Sequence, residues 1–263
     1  MVAACGGDDD GGGGGGGGTD SALPLHRGYV SIQSYDAMNV PNMPTVGGYA
    51  SAGFFKSDGY CTTLETIGPC EVASCTTTTP TGATSAGTIT MTGGLQPVTL
   101  APSADKTYAQ LMTMTKLFDG GETITFAATG ADVPAFTTTL TMPGKATITA
   151  PAEPPANSPY LLVPRSQDFA VSWSGGGGSG LLQVALDSSS ADERLFCRFS
   201  VSARAGTIPA AALAKLPAGM GGFAMASIAE GEHLSGGWVV DVSGYFNAVW
   251  PDSSIVSGPA TFQ

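Results

Sequence analysis

From residue 25 onward, apolar residues recur at every second position in short runs, and each run is closed by Gly, Pro, Asn or Asp. A period of two places alternate side chains on opposite faces, which is the mark of a strand buried on one side rather than of a helix. In Asp168-Phe-Ala-Val-Ser-Trp173, Phe169, Val171 and Trp173 share one face while Asp168, Ala170 and Ser172 share the other. Leu182, Val184 and Leu186 repeat the pattern after the glycines at 175–178, so the two runs read as a hairpin with a loose loop. Leu195, Cys197, Phe199 and Val201 alternate with Arg194, Phe196, Arg198 and Ser200, which points Cys197 into a core. Trp238, Val240 and Val242 alternate again near the end. The first half carries weaker runs at Tyr29–Gln33, Tyr49–Lys56, Thr88–Met91, Glu122–Ala128, Phe136–Thr141 and Ala146–Thr149. The expected fold is all-β, an antiparallel β-sandwich.

One short helix is expected at 207–216, with Thr207 as cap and Pro209 in its first turn. Residues 25–263 form the sandwich region, and Pro151-Ala-Glu-Pro-Pro-Ala-Asn-Ser-Pro159 breaks it, either as a linker between two packed subdomains or as a crossover between sheets. Composition narrows the function. Only 12% of residues are charged and the net charge is −11, so no positive field exists to hold phosphates and nucleic acid is excluded as a partner. No stretch offers the roughly 20 apolar residues of a membrane-spanning helix. Attachment to a membrane would then require a covalent lipid.

The chain opens Met1-Val-Ala-Ala-Cys5-Gly6-Gly7, followed by Asp8–Asp10 and eight consecutive glycines, Gly11–Gly18. Val-Ala-Ala-Cys resembles the lipobox that ends the signal peptide of bacterial lipoproteins. The resemblance covers the N-terminal motif alone. It implies that residues 1–4 are the remnant of a signal peptide, that Cys5 carries the covalent lipid, and that residues 5–24 are a flexible tether. A run of glycines buries no apolar area and retains maximal backbone freedom, which suits a tether. Two or three acyl chains, at about 0.8 kcal/mol per buried methylene, anchor durably where one does not. Gly6 stands where an Asp would cause inner-membrane retention, so the same resemblance implies the outer membrane or surface of a Gram-negative bacterium. The folded region resembles an immunoglobulin-like sandwich in general pattern only. Trp173 precedes Cys197, but no Cys precedes that Trp in its own half, so no site is carried over from that family.

With Cys5 assigned to lipid, Cys61, Cys70, Cys75 and Cys197 remain as disulfide candidates, with three possible pairings. Complete pairing would join Cys197 to one member of the 61–75 cluster and so crosslink the two halves. The alternatives are one local bridge with Cys197 free in the core, or zinc, which the lack of a Cys-x-x-Cys spacing disfavours.

No nucleophile elbow, zinc-protease motif, phosphate loop or dinucleotide fingerprint occurs, so no catalytic residue is assigned and no enzyme is expected. Glu230, Glu232 and His233 in Glu230-Gly-Glu-His-Leu234 could bind a metal or exchange protons, but the segment reads first as a solvated polar turn, and His26 borders the tether. Asp187, Asp192 and Glu193 could offer oxygens to calcium, although the EF-hand spacing is missing and a solvated hairpin loop explains them as well. Trp173 and Trp238 read as core residues, and Trp250, beside Pro251 and Asp252, as the better candidate for an exposed aromatic. A tethered scaffold without recognisable chemistry fits a surface lipoprotein that binds an extracellular protein or glycan. The other readings are a structural component of the cell envelope and an exported hydrolase built on carboxylates distant in sequence.

Overall fold

The structure is a computed structural model, and it describes residues 26–36, 47–56, 61–75, 82–177, 180–252 and 254–263. Cys5 and the tether lie outside the described residues. Strands dominate. The first part of the chain forms β1 (His26–Ser34), β2 (Gly48–Phe55), β3 (Cys61–Ile67), β4 (Cys70–Cys75) and β5 (Ala83–Thr84). Next come β6 (Ile89–Thr92), β7 (Val98–Leu100), β8 (Leu111–Thr113), β9 (Thr123–Ala128), β10 (Phe136–Thr141) and β11 (Ala146–Ala150). The remainder holds β12 (Leu161–Val163), β13 (Phe169–Gly175), β14 (Leu181–Ser188), β15 (Glu193–Ser200), β16 (Ala205–Ile208), β17 (Gly219–Ser235), β18 (Trp238–Asn247) and β19 (Ser257–Phe262).

One large sheet runs through the molecule in the order β3-β4-β15-β14-β17-β18-β1-β2-β5, with β8 beside β2 and β19 linking β17 to β12. Two smaller sheets, β10-β9-β6-β7 and β11-β13-β16, pair with it to enclose two cores. The first core lies under the four-stranded sheet and contains Val30, Ile32, Phe54, Ile89, Phe126 and Phe246. The second lies under the three-stranded sheet and contains Ile148, Trp173, Leu182, Val184, Leu195 and Phe262. Each large side chain fully removed from water contributes roughly 1.5–3 kcal/mol, which makes these two clusters the main source of stability. The 17-residue strand β17 joins them: Phe223 and Met225 enter the second core, whereas its far half pairs with Trp238–Asn247 over the first. Gly28 permits a close approach in that first core, because a Cβ there would stand 2.1 Å from Cδ1 of Phe54.

The all-β sandwich read from alternation is the observed architecture, and the strand Phe136–Thr141 has the expected bounds. Pairing differs in several places. The sandwich is not wholly antiparallel, since β1 lies parallel to β18 and β12 parallel to β19. Residues 168–173 and 182–186 do not form a hairpin. β13 pairs with β11 and β16, while β14 pairs with β15 and β17 in the facing sheet. Both runs point their apolar faces into the second core, and alternation is identical for strands that pair and strands that face each other.

The expected helix shrinks to α1 (Ala210–Leu213), because Thr207 and Ile208 belong to β16. Its first amide is capped from afar by Asp168, whose Oδ1 accepts from the Ala210 N–H at 2.9 Å, rather than by Thr207. Trp250 is buried in the second core, 3% exposed, so the expectation of an exposed aromatic is wrong. Glu230-Gly-Glu-His233 is strand, not turn. The proline-rich segment 151–159 runs from β11 in the three-stranded sheet to β12, which pairs with β19 of the large sheet, and both strands bury residues in the second core.

Candidate functional site

The face of the large sheet turned away from the cores carries a polar strip across six neighbouring strands. Its members are Glu71 on β4, Arg198 on β15, Gln183 on β14, Glu230 on β17, Asp241 on β18 and Arg27 on β1. Alternation puts them there: Val240 and Val242 point into the first core, so Asp241 between them points out, and Cys197 and Phe199 flank Arg198 in the same way. Arg198 is the centre. Its Nη1 lies 3.3 Å from Glu71 Oε2, its Nη2 lies 3.6 Å from Glu230, and its Nε donates to Gln183 Oε1 at 3.3 Å. Thr63 donates to the other oxygen of Glu71. At the far end Arg27 lies 3.7 Å from Asp241.

Although the strip lies on an outward face, Glu71 and Gln183 are buried, as are the neighbouring Ser243 and Tyr245. Carboxylates in that setting resist ionisation. Burial pushes the Asp241 carboxyl up to about 6; Arg27 opposes the rise, and Glu232 and Glu230 add to it. Burial likewise raises Glu230, against Arg198 and with the help of Glu71. The Tyr245 hydroxyl is pushed up to about 12 by burial and by the charge of Glu230. Glu232 and Asp241 stand directly opposite in the β17–β18 register, where like charges destabilise a sheet.

A pH dependence follows. The folded state holds the Asp241 proton more tightly than the unfolded chain, so this group's contribution is most favourable near pH 4 and falls as the pH rises through 6. Asp241→Asn is therefore expected to be more stable than the parent at pH 7.5 by about 1–2 kcal/mol, after allowance for solvent screening, with the gap closing near pH 4. Urea unfolding at the two pH values checks this. A variant less stable than the parent at pH 7.5 would contradict it.

The residues singled out in the sequence are placed as follows. All four remaining cysteines pair, Cys61 with Cys75 and Cys70 with Cys197, so the crosslink between the halves forms. Asp187, Asp192 and Glu193 do not gather into a calcium cage. Asp187 faces Arg194 across the β14–β15 hairpin, Glu193 faces Ser74, and the backbone oxygen of Asp192 accepts from the Cys75 amide at 3.1 Å. Among the described residues no three His, Cys, Asp or Glu side chains are brought together to hold a metal. His26 packs on Trp238, ring centroids 5.0 Å apart, and His233 packs on Phe136 at 5.5 Å.

Of the strip, sequence reasoning had reached only Glu230 as a site residue. The available signal was scarcity: in a chain with ten Lys and Arg, Arg198 at the middle of an alternating run is a costly choice that asks for a partner. A shallow cavity of about 540 Å³ lies elsewhere, lined by Tyr35, Leu95, Gln96, Met114, Thr115 and Lys116. Its one cation is already held by Asp36, at 3.4 Å, and by Asp119.

No family model matches the chain, and no curated protein matches it. Among solved structures it is similar to one described as giving structural insight into host cell surface retention of a 1.5-MDa bacterial ice-binding adhesin. The identity is 14%, the alignment covers 84% of this chain and 63% of that one, and the TM-score is 0.21. It is also similar to a tetra-tandem repeat in the extending region of a large adhesion protein, at 12% identity, covering 84% of this chain and 49% of that one, with a TM-score of 0.23. This chain thus spans less than two thirds of the length of either structure.

Proposed function

We propose that the protein is a lipid-anchored, non-catalytic surface protein of a Gram-negative bacterium, whose β-sandwich binds an extracellular protein or glycan. The observation that carries the binding role is the strip Glu71–Arg198–Gln183–Glu230–Asp241–Arg27. It leaves Arg27, Asp241, Arg198 and Glu230 partly exposed, with both charge signs, over the buried Glu71 and Gln183 that hold Arg198, and side chains held on a sheet lose little entropy on binding. The Val-Ala-Ala-Cys5 motif and the glycine run supply the anchor and the reach.

The raised carboxyls of Asp241 and Glu230 favour a second reading, an exported hydrolase in which one of them serves as general acid. The cross-strand ion pairs weigh against it, because both carboxyls already face a guanidinium.

Two measurements test the proposal. Mass spectrometry of the native protein should find a diacylglyceryl group on Cys5; an unmodified Cys5 with Met1 still attached removes the anchor. A protein and glycan binding screen, run with and without calcium, should yield a partner whose affinity drops at least tenfold in Arg198→Ala. Turnover on a hydrolase panel that disappears in Asp241→Asn would establish the second reading instead.

A further inference from the structure

β1 is the strand that follows Cys5 in the chain, and it lies inside the large sheet rather than at its edge. It pairs in parallel with β18, from His26↔Trp238 to Ser34↔Phe246, and antiparallel with β2, from Arg27↔Phe55 to Ser34↔Gly48. Neither register shifts along its length. At the first end of β1 the His26 amide donates to the Gly237 carbonyl at 3.2 Å, and Arg27 stands beside Asp241. At the other end Ser34 is fully buried, and its Oγ accepts from the amides of Leu117 and Phe118 at 3.0 and 2.9 Å. β18 in turn pairs with β17 from Ala226↔Asn247 to Ser235↔Trp238, so β17 ends beside His26 and begins far from it. Met220 and Ser235 stand about 50 Å apart along that one strand, at about 3.3 Å per residue.

Tension that enters at His26 and is resisted at the Gly219 end of β17 draws β1 along its own axis, past both neighbours. Inter-strand hydrogen bonds run across the strands, so an axial pull loads all of them together, whereas a sideways pull at one end breaks them in turn. Slippage would let β1 yield in steps instead. The smallest slip that keeps its faces is two residues, and it would carry Val30 into the place of Gly28. A Cβ at position 28 would stand 2.1 Å from Cδ1 and 2.6 Å from Cε1 of Phe54. Phe54 is 1% exposed, and its ring is boxed in by those of Tyr108, Phe136 and Trp238, with centroids 5.9, 6.5 and 6.3 Å away. A close-packed ring has no room to turn aside, so Gly28 and Phe54 lock the register.

We infer that β1 is a force-bearing clamp: it passes tension from the Cys5 segment into the large sheet in shear, and the contact of Gly28 with Phe54 stops it from slipping. The polar strip sits on strands that receive this load, with Glu230 on β17 and Gln183 on its neighbour β14. The use of the clamp rests on the N-terminal anchor and the binding role proposed above, whereas its mechanics do not.

Optical-tweezers unfolding of the full chain, made without acylation and with both disulfides formed, tests the clamp. One handle is fixed to Cys5. The other is fixed to Met220→Cys, exposed at the far end of β17, or to Lys56→Cys, exposed beside the His26 end of β1. At one loading rate the Met220→Cys attachment should yield at roughly three times the force of the Lys56→Cys attachment or more, because only the first loads the two ladders of β1 together. Forced unfolding reads the barrier along the pulled direction, so a lock on slippage is visible in one attachment only. Phe54→Leu should lower the Met220→Cys force by roughly a quarter or more and leave the Lys56→Cys force unchanged. Equal forces from the two attachments of the parent would overturn the clamp, with no variant of the core needed. A Phe54→Leu chain that keeps the parent's ratio of forces would overturn the lock, since a general loss of stability lowers both. None of these forces depends on acylation of Cys5, so failure of the anchor and failure of the clamp are read separately.

Discussion

Replacing Cys70 and Cys197 together by alanine is expected to lower the stability of the oxidised protein by about 3–5 kcal/mol, the larger of the two disulfide effects. The bridge joins residues 127 apart, and the loop it closes includes the whole four-stranded sheet and β11 to β14. Without it the unfolded chain regains the freedom of that loop, a cost that grows with the logarithm of loop length. Both sulfurs are fully buried, so the double substitution also leaves a small void in the second core. Cys61→Ala/Cys75→Ala opens a loop of only 14 residues at the sheet edge and should cost about 2–3 kcal/mol. Guanidinium unfolding of the two double variants compares them directly. An edge-bridge variant less stable than the core-bridge variant would show that the long loop is not what the Cys70–Cys197 bond restrains.

Trp173→Ala is expected to cost about 3–5 kcal/mol. The side chain is 3% exposed, its ring centroid lies 6.1 Å from that of Phe199 in the facing sheet, and its Nε1–H donates to the Val201 carbonyl at 3.0 Å. Alanine would leave a cavity between β13 and β15 and a buried carbonyl without that donor, and the two penalties add. Trp173→Phe keeps most of the packing and loses the hydrogen bond, so it should cost about 1–2 kcal/mol. Urea unfolding of both variants separates the terms. Equal losses would mean that the hydrogen bond, and not the ring volume, holds this junction.

Much of the fold was legible because alternation is local. Phe169, Val171 and Trp173 must share a face in any strand, and so must Leu195, Cys197 and Phe199; the structure buries both sets. Cys197 could be placed in a core for the same reason, although alternation could not say which of Cys61, Cys70 and Cys75 would meet it. Trp250 was misread because Pro251 and Asp252 mark a loop, and burial of a loop residue depends on what packs over it from far away. The helix was overextended because Thr207 and Ile208 satisfy their backbone groups in a ladder with β13, a non-local partner that overrides a cap signal. The polar strip lay further out of reach. Arg198 and Glu230 are 3.6 Å apart only because β14 stands between β15 and β17, and Arg27 meets Asp241 only because the first strand lies parallel to the last long one.

The amino-acid sequence by itself determined that the chain is all-β, which residues share a strand face, and that Cys197 would be buried, because a period of two in side-chain direction is a property of the extended backbone. The tertiary structure alone decided which strands pair or face each other, which cysteines bond, and how six polar side chains from distant segments come to lie in one strip. The pairings of β1 with β18 and of β4 with β15 join segments more than 100 residues apart, and nothing in a local alternation distinguishes one such partner from another.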